Sequence, residues 1–248
     1  MTYLFTTEHP DYSDLASGRV FYSLSGHPAF PIRLASEIFQ RCLAIRARYG
    51  RAGRVVLYDP CCGAGYLVSV LSYLRWPQIW AAIGSDINAE AVSLAGRNLG
   101  LLQAGGLNRR MAEIAEMIRL YGKESHREAL QSCHILQERV CRMAEDFPLV
   151  TGAFQADTFD GKALVEHLAG VQADIALTDV PYGLHSEWQA ENRVEPAHAM
   201  LDALRGVLAP GGLVAVASDK HQKVAHERFQ QVARFQVGKR RVTILKPV

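Results

Sequence analysis

The chain has 248 residues, 49% hydrophobic and 21% charged, which is the length of one large α/β domain and the balance of a globular protein. A net charge of +2 is too small to announce a nucleic-acid binder by composition, and five cysteines without C-x₂-C spacing argue against a zinc centre or a disulfide framework. No apolar run approaches the ~20 residues that span a bilayer. Met1 to Leu15 carries Glu8, Asp11 and Asp14 where a secretory leader would be basic and apolar, so a cytoplasmic protein free of membrane and metal is expected.

Residues 1–50 read as an N-terminal extension followed by a helix. The extension is punctuated by Gly18, Gly26, Pro28 and Pro31, and alternation over Arg19–Leu24 predicts a short strand pair. From Ile32 to Arg48, apolar residues at 34, 35, 38, 39, 42, 43 and 45 predict an amphipathic helix. Arg33 opens that helix, where the helix dipole disfavours a cation. A salt bridge to a nearby acid would explain it, and so would a ligand phosphate or carboxylate, which makes Arg33 a candidate substrate contact. Arg41, Arg46, Arg48, Arg51 and Arg54 form a first basic cluster.

The next stretch organises the chain. An apolar strand, Val55–Tyr58, runs into Asp59-Pro60-Cys61-Cys62-Gly63-Ala64-Gly65-Tyr66, and a helix over Leu67–Leu74 follows. Strand, glycine turn and helix start form a nucleotide-binding unit, because glycines admit a ligand close to the backbone and the helix start offers unpaired N–H groups. The third glycine of a dinucleotide fingerprint is missing, since Leu67 and Val68 stand beyond Gly65. Asp59 at the strand end would repel a pyrophosphate but suits a ligand bearing an ammonium or sulfonium charge. That combination points to S-adenosylmethionine, with Asp59, Pro60, Cys61, Gly63 and Gly65 as candidate cofactor contacts. The competing reading is an ordinary turn in which Asp59 caps the helix. Cys61 and Cys62 suit close packing better than nucleophilic chemistry.

A buried strand, Ile79–Asp86, ends in an acid placed for ribose hydroxyls, and Asn88 caps a helix running to Leu101. The alternation of strands and helices then stops. Residues 105–147 form a helical insertion, with helices expected over Asn108–Leu120 and Ser125–Glu145 and with balanced charges. It serves either to grip a large substrate or to cover an exposed face. Alternation resumes with strand Leu149–Gln155, where Asp157 and Thr158 are placed for an adenine amino group and ring. A helix over Gly161–Leu168 and a strand over Ala173–Thr178 lead to Asp179-Val180-Pro181-Tyr182-Gly183.

This last motif carries the chemistry expected of a methyl transfer to a base. Asp179 and neighbouring carbonyls can accept hydrogen bonds from a base nitrogen, and Tyr182 offers a face for stacking. Asp179, Pro181 and Tyr182 are therefore the candidate catalytic residues; Asp179 is also a candidate cofactor contact, and Tyr182 a substrate contact. By itself the motif could equally be a turn with a packing tyrosine. A helix over Pro196–Leu208, a turn at Ala209–Gly212 and strand Leu213–Ala217 follow, with Lys220 at the strand's carboxyl edge as a further candidate substrate contact. A helix is expected over His221–Gln230, then a hairpin of Val232–Val237 and Val242–Leu245 around Gly238-Lys239-Arg240. The C-terminal end also gathers Lys220, Lys223, Arg228, Arg234, Lys239, Arg240 and Arg241 against Asp219 and Glu227. Such clusters either neutralise phosphates or form solvated faces. The predicted architecture is α/β: a Rossmann-like, seven-stranded, mostly parallel sheet with an antiparallel C-terminal edge and a helical insertion, all in one domain over 1–248.

Asp59-x-x-x-Gly63-x-Gly65, Asp86, Asp157 and Asp179-Val180-Pro181-Tyr182 resemble the motifs of class I S-adenosylmethionine-dependent methyltransferases. Further segments narrow the resemblance: Ser13–Gly18, Gly26–Ala35, Glu37–Arg41, the double-cysteine loop Asp59–Leu67 and Leu177–Gly183. Together with the insertion, they are similar to the avilamycin-resistance family of ribosomal-RNA methyltransferases over nearly the whole chain. The resemblance implies methylation of a guanine in large-subunit (23S) rRNA; antibiotic resistance is a further step beside a housekeeping role, and a monomer is expected. It implies that Asp59, Gly63 and Gly65 hold the methionine portion of the cofactor, Asp86 the ribose and Asp157 the adenine, while Asp179, Pro181 and Tyr182 face the base. Val180 departs from the N/D-P-P-Y pattern of amino-methyltransferases, so the acceptor is either an exocyclic amine, which Asp179 need only orient, or a ring nitrogen, for which it serves as general base. Methylation of another RNA, a small molecule or a protein is the alternative enzyme reading. The alternative outside catalysis is a module that binds cofactor and RNA without transfer.

Overall fold

Val55–Asp59 (β1) is buried along its whole length, as befits a central parallel strand covered on both faces. It pairs in parallel with Ile79–Asp86 (β2) on one side and Ala173–Asp179 (β4) on the other. The computed structural model describes residues 3–24, 29–180 and 196–248. Val150–Gln155 (β3) flanks β2, and Leu208–Asp219 (β5) flanks β4 in parallel. Arg240–Pro247 (β7) joins β5 antiparallel, and Phe229–Val237 (β6) closes the edge. The strand order is β3-β2-β1-β4-β5-β7-β6. This is the predicted seven-stranded sheet with its reversed edge. The order changes direction between β1 and β4, so the crevice beyond their carboxyl ends is where an open α/β sheet takes its ligand. Asp59 and Asp179 are the last residues of those two strands.

One core lies under Ile32–Arg48 (α1), Tyr66–Leu74 (α2) and Ala89–Gly100 (α3), the other under Gly161–Leu168 (α6) and Pro196–Leu204 (α7). Asn88 caps α3 as expected, its Oδ1 accepting from the Glu90 and Ala91 N–H groups at 2.9 and 3.2 Å. The insertion folds as an antiparallel helix pair, Ala104–Tyr121 (α4) and Glu124–Asp146 (α5), turning at Gly122. Leu107, Ile114, Cys133, Leu136 and Val140 join the first core. Covering is therefore one thing the insertion does.

It also braces the N-terminal extension. The strand pair expected over Arg19–Leu24 does not form, because side chains satisfy this backbone where a neighbouring strand would have done so. Arg110 of α4 donates to the Val20 and Arg19 carbonyls at 2.9 and 3.2 Å. Its guanidinium and that of Arg97 lie 4.3 and 3.9 Å from the Tyr22 ring centroid, and Glu113 accepts from the Tyr22 hydroxyl at 2.9 Å. Asn98 of α3, fully buried, donates to the Tyr22 and Ala64 carbonyls at 2.9 and 2.8 Å and accepts from the Tyr22 N–H at 2.8 Å. One side chain thus ties the extension to the glycine loop. Asn98→Asp would keep the acceptor but set a carboxylate against two carbonyl oxygens. A loss of about 2–4 kcal/mol in urea unfolding is expected, and a loss below about 0.5 kcal/mol would show that the clamp is dispensable.

Two further expectations are corrected. His221–Gln230 is not a helix. Asp219 Oδ1 accepts from the His221 N–H at 2.9 Å and the Asp219 carbonyl from the Gln222 N–H at 3.1 Å, which turns the chain. Val224 then drops into the second core and β6 begins at Phe229. Ala209–Gly212 is no terminal turn but an irregular stretch inside β5, where pairing with β4 shifts register and Gly211 adopts φ +78°. The helix expected over Pro196–Leu208 stops at Leu204, with one 3₁₀ turn over Arg205–Val207.

Candidate functional site

The glycine loop is shaped from within. Gly63 and Gly65 take φ +52° and +70°, conformations that side-chain-bearing residues avoid. A Cβ on Gly65 would stand 2.9 Å from both Cα and Cβ of Ala95, so this glycine also lets α3 approach the loop. Gly84 of β2 does the same for Cys62, whose Sγ lies 2.8 Å from the place of a Cβ. Cys62 is thus a packing residue, and burial together with Asp59 and Asp86 pushes both loop thiols well above their usual range. The Cys62 N–H donates to the Ser85 carbonyl at 2.9 Å, and Tyr58 and Ser85 share a 2.6 Å hydroxyl hydrogen bond beneath. Helix α2 starts without a side-chain cap, which leaves its first N–H groups to solvent or a ligand.

Three acids gather at the carboxyl ends of β1, β2 and β4. Asp59 is buried and accepts from the Cys61 N–H at 3.2 Å. Burial pushes its carboxyl up to about 7, and the charges of Asp86 and Asp179 add to the rise. Asp86 braces the loop, its Oδ2 accepting from the Gly63 N–H at 2.9 Å and its Oδ1 from the Asn88 N–H at 3.0 Å. A carboxylate accepts about four hydrogen bonds, so both oxygens keep capacity for ribose hydroxyls. Asp179 is partly buried, with Arg240 Nη2 of β7 at 3.6 Å from its Oδ2. Desolvation raises its carboxyl to about 6 although Arg240 pulls it down. Beyond β3, Asp157 Oδ1 accepts from the Phe159 N–H at 2.9 Å, and Thr158 is buried beside it.

The residues present fit a cationic nucleoside. Among the described residues, Asp179 Oδ1 is buried without a hydrogen-bond partner, and Thr158 Oγ1 is buried with only the weakly bonding Cys61 thiol beside it. Such atoms are costly unless a ligand or water completes them. Asp59, raised by burial and by its acidic neighbours, would return to the ionised form beside a sulfonium or ammonium group.

The other expected site residues divide. Pro60 and Cys61 stand in the loop after Asp59, and Lys220 is exposed just past β5. Pro181 and Tyr182 lie outside the described residues. Arg33 has no acidic partner among the described residues. It donates instead to the Thr6 and Thr7 carbonyls at 2.8 and 3.2 Å, lies beside His9, and stacks 4.0 Å from the Tyr3 ring centroid, pinning the N-terminal segment. Asn98 carried no signal in the sequence, and Arg240 carried none for contact with Asp179. Arg240 sat inside a basic run, and only the pairing of β7 with β5 brings it to Asp179. His198, His226 and Glu227 also cluster, with His198 Nε2 2.8 Å from Glu227 Oε2. The two imidazoles stack at 4.0 Å with 28° between their planes, so their in-plane nitrogen lone pairs do not aim at a common ion.

The strand order, the acid-lined crevice at its switch point and the two-glycine loop define a class I methyltransferase. The family described as rRNA methyltransferase AviRa matches residues 1–240, and the chain belongs to that family. It is 38% identical over 244 residues to a 23S rRNA (guanine(2535)-N(1))-methyltransferase of Streptomyces viridochromogenes, covering 98% of this chain and 95% of that protein. The solved structure of the rRNA methyltransferase AviRa from the same organism superposes with a TM-score of 0.87 at 37% identity, covering 99% of this chain and 96% of that one.

Proposed function

We propose that this protein is an S-adenosylmethionine-dependent methyltransferase acting on a guanine of 23S rRNA, with the base N1 as acceptor and with protection against a ribosome-targeting antibiotic as its associated role. The observation that carries this reading is Asp179. It is a partly buried carboxylate at the switch point of the sheet, with one oxygen held by Arg240 and the other without a partner among the described residues. The 38% identical relative, named as a guanine N1 methyltransferase, supports the same choice.

When bound, the cofactor supplies a methyl group made electrophilic by its sulfonium sulfur. Asp59 provides the countercharge, while Gly63 and Gly65 allow close approach of the loop. Asp86 accepts from ribose hydroxyls, and Asp157 and Thr158 meet the adenine. A guanine N1 carries a proton at neutral pH, so its lone pair must be freed before it can act as a nucleophile. Asp179 Oδ1 accepts that N1–H and takes the proton, and Arg240 holds the carboxylate in place. Pro181 and Tyr182, outside the described residues, face the base by the family resemblance, and Lys220, exposed just past β5, serves the RNA.

The test is transfer of label from tritiated S-adenosylmethionine to 23S rRNA, as free RNA and as the large subunit, followed by nucleoside mass spectrometry. Label in 1-methylguanosine is expected. Label in an exocyclic N-methylguanosine would refute the base role of Asp179, and label only in protein or small molecules would refute the RNA substrate.

A further inference from the structure

From Arg228 to the C-terminus the chain has six cations and no acid. The early arginine cluster makes an instructive contrast, because folding consumes much of it. Arg46 pairs with Asp174 at 2.7 Å, Arg41 with Glu37 at 2.7 Å, and Arg54 donates to the Ile79 and Pro148 carbonyls. Arg234 and Arg241 are not consumed: neither has an acidic partner among the described residues. Their register explains where they go. Gln236 pairs with Arg241 across the β6–β7 ribbon, and Arg234 lies two residues along the same strand, so all three project from one face. Arg240, one residue before Arg241, projects from the other face and reaches Asp179. Arg234, Gln236, Gly238 and Arg241 line a groove of about 540 Å³. Val237 and Arg240 are paired at the hairpin end, and Arg240 and Arg241 pair with Asp219 and Ser218 at the carboxyl end of β5. The groove therefore opens onto the rim of the crevice.

We infer that this groove on the β6–β7 ribbon is the seat of the RNA backbone flanking the target guanine, with Arg234 and Arg241 each neutralising a phosphate and Gln236 donating between them. The inference rests on the RNA reading given above. Two unneutralised guanidiniums on one face suit an extended polyanion, since each offers a planar fork for phosphate oxygens. The ribbon is also held to the catalytic carboxylate by Arg240, so a backbone seated there has a set distance from Asp179.

The experiment is filter binding of in vitro transcribed 23S rRNA, and of large subunits, to the wild type and to Arg234→Gln/Arg241→Gln, between about 50 and 300 mM KCl. Methyl transfer, cofactor affinity and melting temperature are measured alongside. At about 150 mM salt the double variant is expected to bind at least about tenfold more weakly, and the slope of log affinity against log salt is expected to fall by about 2, one phosphate per guanidinium. Cofactor affinity and melting temperature should stay at wild-type values. An unchanged slope in a wild type that does bind and methylate RNA overturns the groove alone. A changed slope with no transfer to any RNA overturns the proposed reaction and leaves the groove standing. A wild type that binds neither probe overturns both. The single Arg234→Gln and Arg241→Gln variants, each expected to remove about 1 from the slope, decide the matter if the double variant does not fold.

Discussion

Asp179→Asn should lower the rate of methyl transfer by about 10²–10⁴-fold while leaving the melting temperature near that of the wild type and cofactor affinity changed far less than the rate. The amide keeps the shape of the side chain but cannot take the N1 proton. The pH dependence carries the sharper signature. Because burial raises the Asp179 carboxyl to about 6, the base form is lost as pH falls through that value, and the wild-type rate should drop on the acid side there. Arg240 draws the carboxyl downward, so Arg240→Gln should shift the acid limb to higher pH, with Arg240→Lys restoring much of it. The charged groups that meet at this site are Asp59 on β1, Asp86 on β2 and Arg240 on β7. Burial pushes the Asp59 carboxyl up to about 7, and its own limb should show in cofactor binding. The acid limb of the rate at saturating cofactor therefore isolates Asp179. A rate within threefold of wild type for Asp179→Asn, or an acid limb indifferent to Arg240, would remove the general base from the mechanism.

Gly65→Ala is the second large effect. The substitution meets two independent costs: a backbone φ of +70° and a Cβ 2.9 Å from the Ala95 backbone. The first costs about 1–2 kcal/mol and the second about 1–3 kcal/mol, because Ala95 lies on a helix that cannot move without disturbing the Asn98 clamp. A loss of about 2–5 kcal/mol is expected, together with cofactor binding at least tenfold weaker as the loop is pushed from its seat. Gly122→Ala is the built-in comparison. It has φ +61° and nothing within 4 Å of the added atom, so only the backbone cost applies. Equal destabilisation of the two variants would mean that the contact between loop and α3 contributes nothing.

The parts of this protein legible in its sequence are those that depend on local periodicity and on short-range turn chemistry. Apolar-rich runs at Val55–Tyr58, Ile79–Asp86 and Ala173–Thr178 meant largely buried parallel strands, and all three formed. Asn88 announced its helix because capping involves neighbours two and three residues away. Acids at strand ends were readable for the same reason: once strands alternate with helices in a parallel sheet, every carboxyl end lies at the same edge. The errors share the opposite cause. Arg19–Leu24 alternates like a strand, yet Asn98 and Arg110, far along the chain, satisfy its backbone. His221–Gln230 contains helix-compatible residues, but Val224 is drawn into the core and Phe229 must pair with Pro247.

Arg33 and Arg240 make the same point for the site. Both were visible as cations, one misplaced at a helix start and one within a basic run. Their partners, the carbonyls of Thr6 and Thr7 for one and Asp179 for the other, were fixed only when distant segments packed. By itself, then, the sequence determined the central strands and the helices between them, the glycine loop and the acids at the strand ends. Each is set by interactions within a few residues or by the uniform direction of parallel strands. The tertiary structure decided which cations are spent on folding, which one tunes Asp179 and which two line a groove. Those assignments depend on the register of an antiparallel ribbon and on long-range burial, and a change of one residue in that register would reverse them.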